Sequence, residues 1–189
     1  KMFTFETPGE RSITIMTSGN LATTQAVISL LQERSKRPSD RSPDILHAES
    51  MFQVARLIGA TLREVIAGHD EAGQRADGAF FATLIVGGQI KGGEPRLYLI
   101  YPEGNFIEAG EDTPFFQVGE TKYGRPILIR AYDPDMSFEA AIKLLLVSFD
   151  STIKANLSVA LPLDWHVYET GSHRNGRIGR VEQGDPYFE

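Results

Sequence analysis

The sequence contains no cysteine among its 189 residues. Disulfides, thiolate metal sites and a cysteine nucleophile are therefore excluded, and a chain without cysteine is more typical of a reducing compartment, so we predict a cytoplasmic location. Long apolar runs are also lacking. The longest, residues 140–149, is interrupted by Lys143 and falls short of the roughly 20 residues that cross a bilayer. No membrane association is expected.

Positive charge is the third feature in short supply. Lysine and arginine total 19 against 25 acidic residues, which gives a net charge of −6. A field of that sign repels polyphosphate, so a nucleic-acid partner is not expected. The 4 histidines are scattered along the chain and form no metal-binding motif, while the glycine pairs 87–88 and 92–93 fit no nucleotide-binding pattern. We therefore predict no metal site and no cofactor, and interpret the glycine pairs as turns.

What the chain does have is enough apolar material for a buried core. Hydrophobic residues make up 41% of it and aromatic residues 10%, which predicts a single domain over residues 1–189. Alternating patterns predict strands and spacings of three and four predict helices. The predicted strands are residues 2–5, 12–17, 79–86, 96–101, 106–109, 115–118 and 157–167, with a last hairpin around 175–176. The first predicted helix begins at Leu21, and the second begins at Ala48 and ends at a cap at Gly68. Two further helices are predicted over 127–130 and 138–149.

This order places runs of strands between pairs of helices. Such an arrangement predicts an α+β fold in which two layers of sheet are covered by helices, and it argues against a doubly wound parallel sheet. No repeat of fixed period is present.

Three residues could carry chemistry. Gly19 lies between a strand and a helix, where a bare backbone N–H can stabilise an oxyanion, although a structural turn is the commoner role for such a glycine. Lys1 begins the strand antiparallel to the one that delivers Gly19, and a partly buried lysine can activate a nucleophile. Asp150, at the predicted end of the last long helix, is solvated, a local cap, or matched to a cation.

Four stretches of the sequence resemble motifs of the β-type subunits of the proteasome, and in detail those of Anbu, the bacterial ancestral β-subunit family. The first stretch is KMFTF at residues 1–5, and the second is SGNLATTQ at 18–25. The third is GETKYGRP at 119–126, and the last is DST at 150–152 with NLSV at 156–159. The likeness runs the length of the chain, and the second and third motifs are the specific ones.

The resemblance implies the N-terminal-nucleophile hydrolase fold, a four-layer αββα sandwich. It also implies roles: Lys1 matches the lysine that lowers the pKa of the nucleophile, Gly19 the glycine of the oxyanion hole, and Asp150 the aspartate that helps to position the nucleophile. A supporting serine corresponds to Ser151 or Ser158. In this family the threonine nucleophile lies on two strands before the position of Lys1, so we expect these strands upstream.

The expected function is therefore a subunit of a threonine-type peptidase that acts on peptides or unfolded proteins and assembles into a homo-oligomeric ring or open spiral. Two alternatives stay open. One is a scaffold subunit of the same fold without activity, and the other is an amidohydrolase of small amides. The residue at the mature N-terminus separates the three, and Lys1 favours the enzyme.

Overall fold

Residues 1–36, 44–71, 80–186 and 188 are described by the computed structural model. Their backbone contacts group into two units. Unit 1 consists of Lys1–Val118 and Tyr168–Asn175, and unit 2 consists of Gly119–Val167 and Gly176–Glu189. A single domain over residues 1–189 stays a prediction.

Unit 1 is built on an antiparallel sheet whose five strands lie side by side in chain order. The strands are β1 (Met2–Thr7), β2 (Arg11–Gly19), β3 (Ala82–Ile90), β4 (Arg96–Ile100) and β5 (Phe106–Glu108). Two helices, α1 (Leu21–Lys36) and α2 (Met51–Glu71), come between β2 and β3. The predicted first hairpin is confirmed, since the Glu10 N–H donates to the Thr7 carbonyl at 2.9 Å across its turn.

The two helices pack against each other and against the sheet, and the core of unit 1 lies between these layers. Alternation along β2 turns Ile13 and Ile15 toward the helices, where both are 0% exposed. From the helix side, Val27, Leu31 and Ile58 meet them, also fully buried. The spacing of these residues in the sequence is what assigns each to the covered face.

Three predictions for unit 1 are wrong. Gly68 does not cap α2, because the helix continues to Glu71. The pair Gly87 and Gly88 lies inside β3 and ends nothing. A Cβ on Gly88 would collide with the Ser12 carbonyl of β2, so this glycine allows two strands to approach closely. Residues 115–118 form no strand.

The charged stretch 33–44 with its two prolines predicts a surface loop after the first helix, but α1 continues to Lys36. The rest of that predicted loop falls on residues 37–43, and the start of the predicted strand 79–86 falls on Ala79. Both lie outside the described residues.

Unit 2 contains α3 (Arg125–Ala131), α4 (Phe138–Ala155), and a two-stranded sheet of β6 (Leu163–Val167) and β7 (Arg177–Val181). Helix α3 packs against α4. The predicted start of α4 is confirmed: the Ser137 hydroxyl accepts a hydrogen bond from the Ala140 N–H and caps the helix.

Two predictions for unit 2 are corrected. Helix α4 does not end near Asp150, because it continues to Ala155. The final strand does not begin at 157, since β6 begins at Leu163, directly after Pro162, which has no N–H to donate to a sheet. Its partner β7 pairs Arg177 with Val167, so residues 168–176 form a longer connection than the predicted tight hairpin.

The apolar stripe of α4 is exposed at three positions and half-buried at Ile142 and Leu146. Phe138, Leu145 and Phe149 are 44%, 45% and 41% exposed, whereas the buried residues of this helix are Ser148 and Thr152.

Helices and antiparallel sheets in this order confirm the α+β class. In the described part of the chain, no helix is long and apolar enough to span a membrane.

Candidate active site

Lys1 lies directly opposite Thr17 at the end of the β1–β2 pair. The Thr17 N–H donates to the Lys1 carbonyl at 2.8 Å, and the main-chain nitrogen of Lys1 donates to the Thr17 carbonyl at 3.1 Å. Lys1 itself is exposed, so the lysine is not the partly buried one considered above. Its backbone is nevertheless fixed by two hydrogen bonds, beside the end of β2.

Gly19 ends β2 in a backbone conformation with φ +104°. A Cβ at this position would collide with the Phe81 carbonyl oxygen, so both the torsion and the space require glycine. The next residue, Asn20, precedes α1 and caps it: its N–H donates to the Phe81 carbonyl at 2.9 Å, and its side-chain oxygen accepts from the Thr23 N–H at 3.0 Å. These two hydrogen bonds of Asn20 hold the strand-to-helix turn directly after an exposed glycine.

The ladder pattern gives the direction of the Gly19 N–H. In an antiparallel strand, main-chain groups face one neighbour and then the other at alternate residues. Thr17 uses both of its groups toward Lys1, while the Asn20 N–H faces β3. Gly19 follows Thr17 by two residues, so its N–H points to the β1 side, next to Lys1. Lys1 and Gly19 are thus neighbours at one end of the sheet of unit 1.

Asp150 lies within α4, one helical turn before Lys154, and the two side chains form an ion pair at 3.0 Å. Of the three roles considered for Asp150, the match to a cation is the one that the structure shows, whereas a local cap is excluded because the helix continues past it. Its side chain is 36% exposed, so the carboxylate is held by Lys154 and stays accessible to solvent.

The two candidate serines lie in different settings. Ser151 follows Asp150 on α4 and donates from its hydroxyl to the Tyr123 carbonyl at 3.4 Å. Ser158 lies beyond the helix, where its N–H and hydroxyl both bind the side-chain oxygen of Asn156, at 2.9 and 2.7 Å. The hydroxyl of Ser158 is therefore engaged in a local turn, while Ser151 shares a helix segment with Asp150.

A loop of residues 119–124 holds a carboxylate that the sequence analysis did not assign. Glu120 accepts from the Lys122 N–H at 2.7 Å and from the side-chain amide of Asn156 at 2.8 Å. These hydrogen bonds, that of Lys122 first, lower the pKa of Glu120 below its ordinary value of 4.5. The signal in the sequence is the GETKYG motif, but nothing in it identifies Asn156 as the partner. Among the described residues, no three side chains are grouped to hold a metal ion.

Known proteins are similar to this chain in both sequence and structure. A family model described as proteasome subunit matches residues 10–159. The structure is similar to that of Anbu (ancestral beta-subunit) from Yersinia bercovieri, at 44% identity and a TM-score of 0.91, with 100% of this chain and 77% of the other covered. Anbu from Hyphomicrobium sp. strain MC1 matches at 44% identity and a TM-score of 0.90, over 100% and 77% of the chains.

A third similar structure is described as a helical assembly of the Anbu complex from Pseudomonas aeruginosa. It is 48% identical, with a TM-score of 0.90, and the alignment covers 100% of this chain and 76% of the other. The search of curated proteins gives no match.

Proposed function

The chain belongs to the proteasome subunit family, within its Anbu group, and from this membership we propose that it is a subunit of a self-assembling peptidase with an N-terminal threonine nucleophile. The fold is that of the N-terminal-nucleophile hydrolases. The substrates that we propose are peptides or unfolded proteins.

The observation that carries the proposal is the geometry at Gly19. The residue is exposed, strand alternation directs its N–H to the β1 side beside Lys1, and neither its torsion nor its surroundings admit a side chain. When a hydroxyl attacks a peptide carbonyl, negative charge develops on the carbonyl oxygen, and a fixed backbone N–H stabilises that charge. Gly19 supplies such a donor.

The remaining roles follow the chemistry of an activated hydroxyl. The threonine hydroxyl attacks the carbonyl carbon as its own amine takes the proton, the amine then gives that proton to the leaving nitrogen, and water hydrolyses the resulting ester. Lys1 favours the ionised nucleophile by its positive charge. We assign the family's supporting carboxylate to Asp150 and its supporting hydroxyl to Ser151, because Ser151 follows Asp150 on α4 whereas Ser158 lies beyond the helix.

The test is Lys1→Ala in the assembled protein, with hydrolysis of a fluorogenic peptide as the readout. We expect the rate to fall by at least about 100-fold, the lower range for loss of a group that activates the nucleophile. Lys91→Ala is the matched control, because Lys91 is an exposed lysine in the β3–β4 turn and its loss should leave the rate unchanged. Retained turnover in Lys1→Ala would contradict the proposed mechanism.

N-terminal sequencing of the same preparation separates the peptidase from the alternatives. We expect threonine as the first residue. A serine or a cysteine, together with hydrolysis of small amides but of no peptide, would favour an amidohydrolase, and the absence of any nucleophile at the terminus would favour a scaffold.

We also propose that the chain forms a homo-oligomer in the cytoplasm. The relative from Pseudomonas aeruginosa is described as a helical assembly, and the absence of cysteine fits a reducing compartment. Light scattering after size-exclusion chromatography measures the assembly directly, and a mass equal to one subunit would refute it.

A further inference from the structure

The loop of residues 119–124 lies on the polar face of α4. Its Tyr123 carbonyl accepts from the Ser151 hydroxyl. Its Gly124 is buried, and a Cβ there would collide with the Ser148 hydroxyl and stand 3.0 Å from the Thr152 hydroxyl. Ser148, Ser151 and Thr152 recur at helical spacing, so this face of α4 is occupied by the loop.

Glu120 joins this loop to the end of α4. One carboxylate oxygen accepts from the Lys122 N–H within the loop, and the other accepts from the Asn156 side-chain amide at the C-cap of the helix. The oxygen of the same amide accepts from the Ser158 N–H at 2.9 Å. Both ends of the Asn156 side chain are therefore engaged, which determines how it faces Glu120.

We propose that Glu120 and Asn156 are positioning residues for hydrolysis, acting as a clasp that holds the loop so that the Tyr123 carbonyl orients the Ser151 hydroxyl beside Asp150. The inference rests on the proposed peptidase function. At 3.4 Å the hydrogen bond of Ser151 is near the upper limit of distance, so it depends on the position of the loop. Glu120 lies on the loop and Asn156 at the end of the helix, and neither forms a hydrogen bond with Ser151.

The hydrogen bond of the clasp has a fixed direction, with the donor at Asn156 and the acceptor at Glu120, and a double variant can exchange the two roles. A carboxylate accepts at both oxygens, whereas a glutamine accepts at one and donates at the other. In Glu120→Gln the single amide oxygen replaces two accepting oxygens, so the hydrogen bond from either the Lys122 N–H or the Asn156 amide is lost. In Asn156→Asp two carboxylates face each other and repel. The double variant restores the hydrogen bond with donor and acceptor exchanged, and the carboxylate introduced at position 156 still has an oxygen for Ser158.

The experiment measures kcat and KM for peptide hydrolysis by the assembled protein. We expect each single variant to lower kcat by about 10-fold or more with KM changed less than about twofold, since a small displacement of a positioned group acts on the chemical step. The double variant should recover most of kcat. Glu182→Gln is the control, because it removes an exposed carboxylate of unit 2 outside this loop and helix.

Thermal unfolding of the same variants separates positioning from stability. If the single variants keep the wild-type kcat, or if the double variant fails to recover it while its unfolding midpoint is restored, the positioning role is overturned. If the wild-type protein itself hydrolyses no peptide, the proposed function fails and this inference fails with it. Active wild type with unaffected variants refutes the clasp alone.

Discussion

Two glycines of this chain differ in what surrounds their Cα atoms. A Cβ on Gly124 would collide with Ser148, whereas a Cβ on Gly68 of α2 would meet nothing within 4 Å. We expect Gly124→Ala to lower the free energy of unfolding by about 1–3 kcal/mol, because the loop must shift on α4. Gly68→Ala should raise it by about 1 kcal/mol, since alanine favours the helix.

Urea unfolding of the two variants measures both changes. They are a matched pair, because each adds one methyl group to a glycine and no charge changes. A stabilising Gly124→Ala would mean that the loop of residues 119–124 does not lie against Ser148, and would weaken the argument for its role.

Sequence motifs identify some of the candidate residues and cannot identify others. The resemblance identifies Lys1, Gly19, Asp150 and Ser151 as candidates because each belongs to a short contiguous pattern. It cannot reveal that Glu120 binds Asn156, since 36 positions separate them and many polar residues could serve as the partner. Tertiary hydrogen bonds of this kind depend on how elements pack, which local patterns do not encode.

At the scale of elements, the order of strands and helices was predictable, and several ends were not. Apolar periodicity is local, so β1, β2, α1, α2 and α4 follow directly from it. The ends of the strands and helices depend on contacts with other parts of the chain. A glycine pair such as Gly87 and Gly88 is typical of a turn, but both lie inside β3, where the missing side chain of Gly88 allows Ser12 of the adjacent strand to approach closely.

The β6–β7 pair carries a histidine that makes its stability depend on pH. His166 on β6 accepts from the Gly176 N–H at 3.1 Å through Nε2, and burial lowers its pKa below the ordinary 6.5. The folded protein therefore binds fewer protons than the unfolded chain between the two pKa values. The contribution of His166 to the free energy of unfolding is complete above pH 6.5. It is lost as the pH falls through the lowered pKa of His166 in the folded protein.

We expect the urea concentration at the unfolding midpoint of the wild-type protein to decrease as the pH is lowered from about 8 to about 5.5. Part of this fall should disappear in His166→Gln. Glutamine does not titrate and can still accept from Gly176. Gln183→Ala is the control, because Gln183 is an exposed residue of unit 2 with no titratable group and its replacement should preserve the fall. An identical fall in His166→Gln and the wild type would contradict the role of His166.

At the scale of the whole molecule, the two units bury apolar side chains to different extents. The main hydrophobic cluster runs from Phe5 to Ile100 and belongs entirely to unit 1. Among the described residues of unit 2 the buried apolar ones are few, namely Leu128, Leu163, Val167 and Val181. Three residues of the apolar stripe of α4 are exposed, as is Ile178 of β7 at 51%.

This difference predicts unequal local stability within one chain. Segments with few buried apolar contacts open at a lower free energy than the core does, and amide hydrogen exchange reports that opening. In the 189-residue polypeptide we expect the amides of β2 and β3 to exchange at least about 10-fold more slowly than those in the middle of α4. Both segments are hydrogen-bonded, so the comparison reports burial. Equal protection of α4 and β3 would show that the stripe of Phe138, Leu145 and Phe149 is covered in solution, and would refute this difference in local stability.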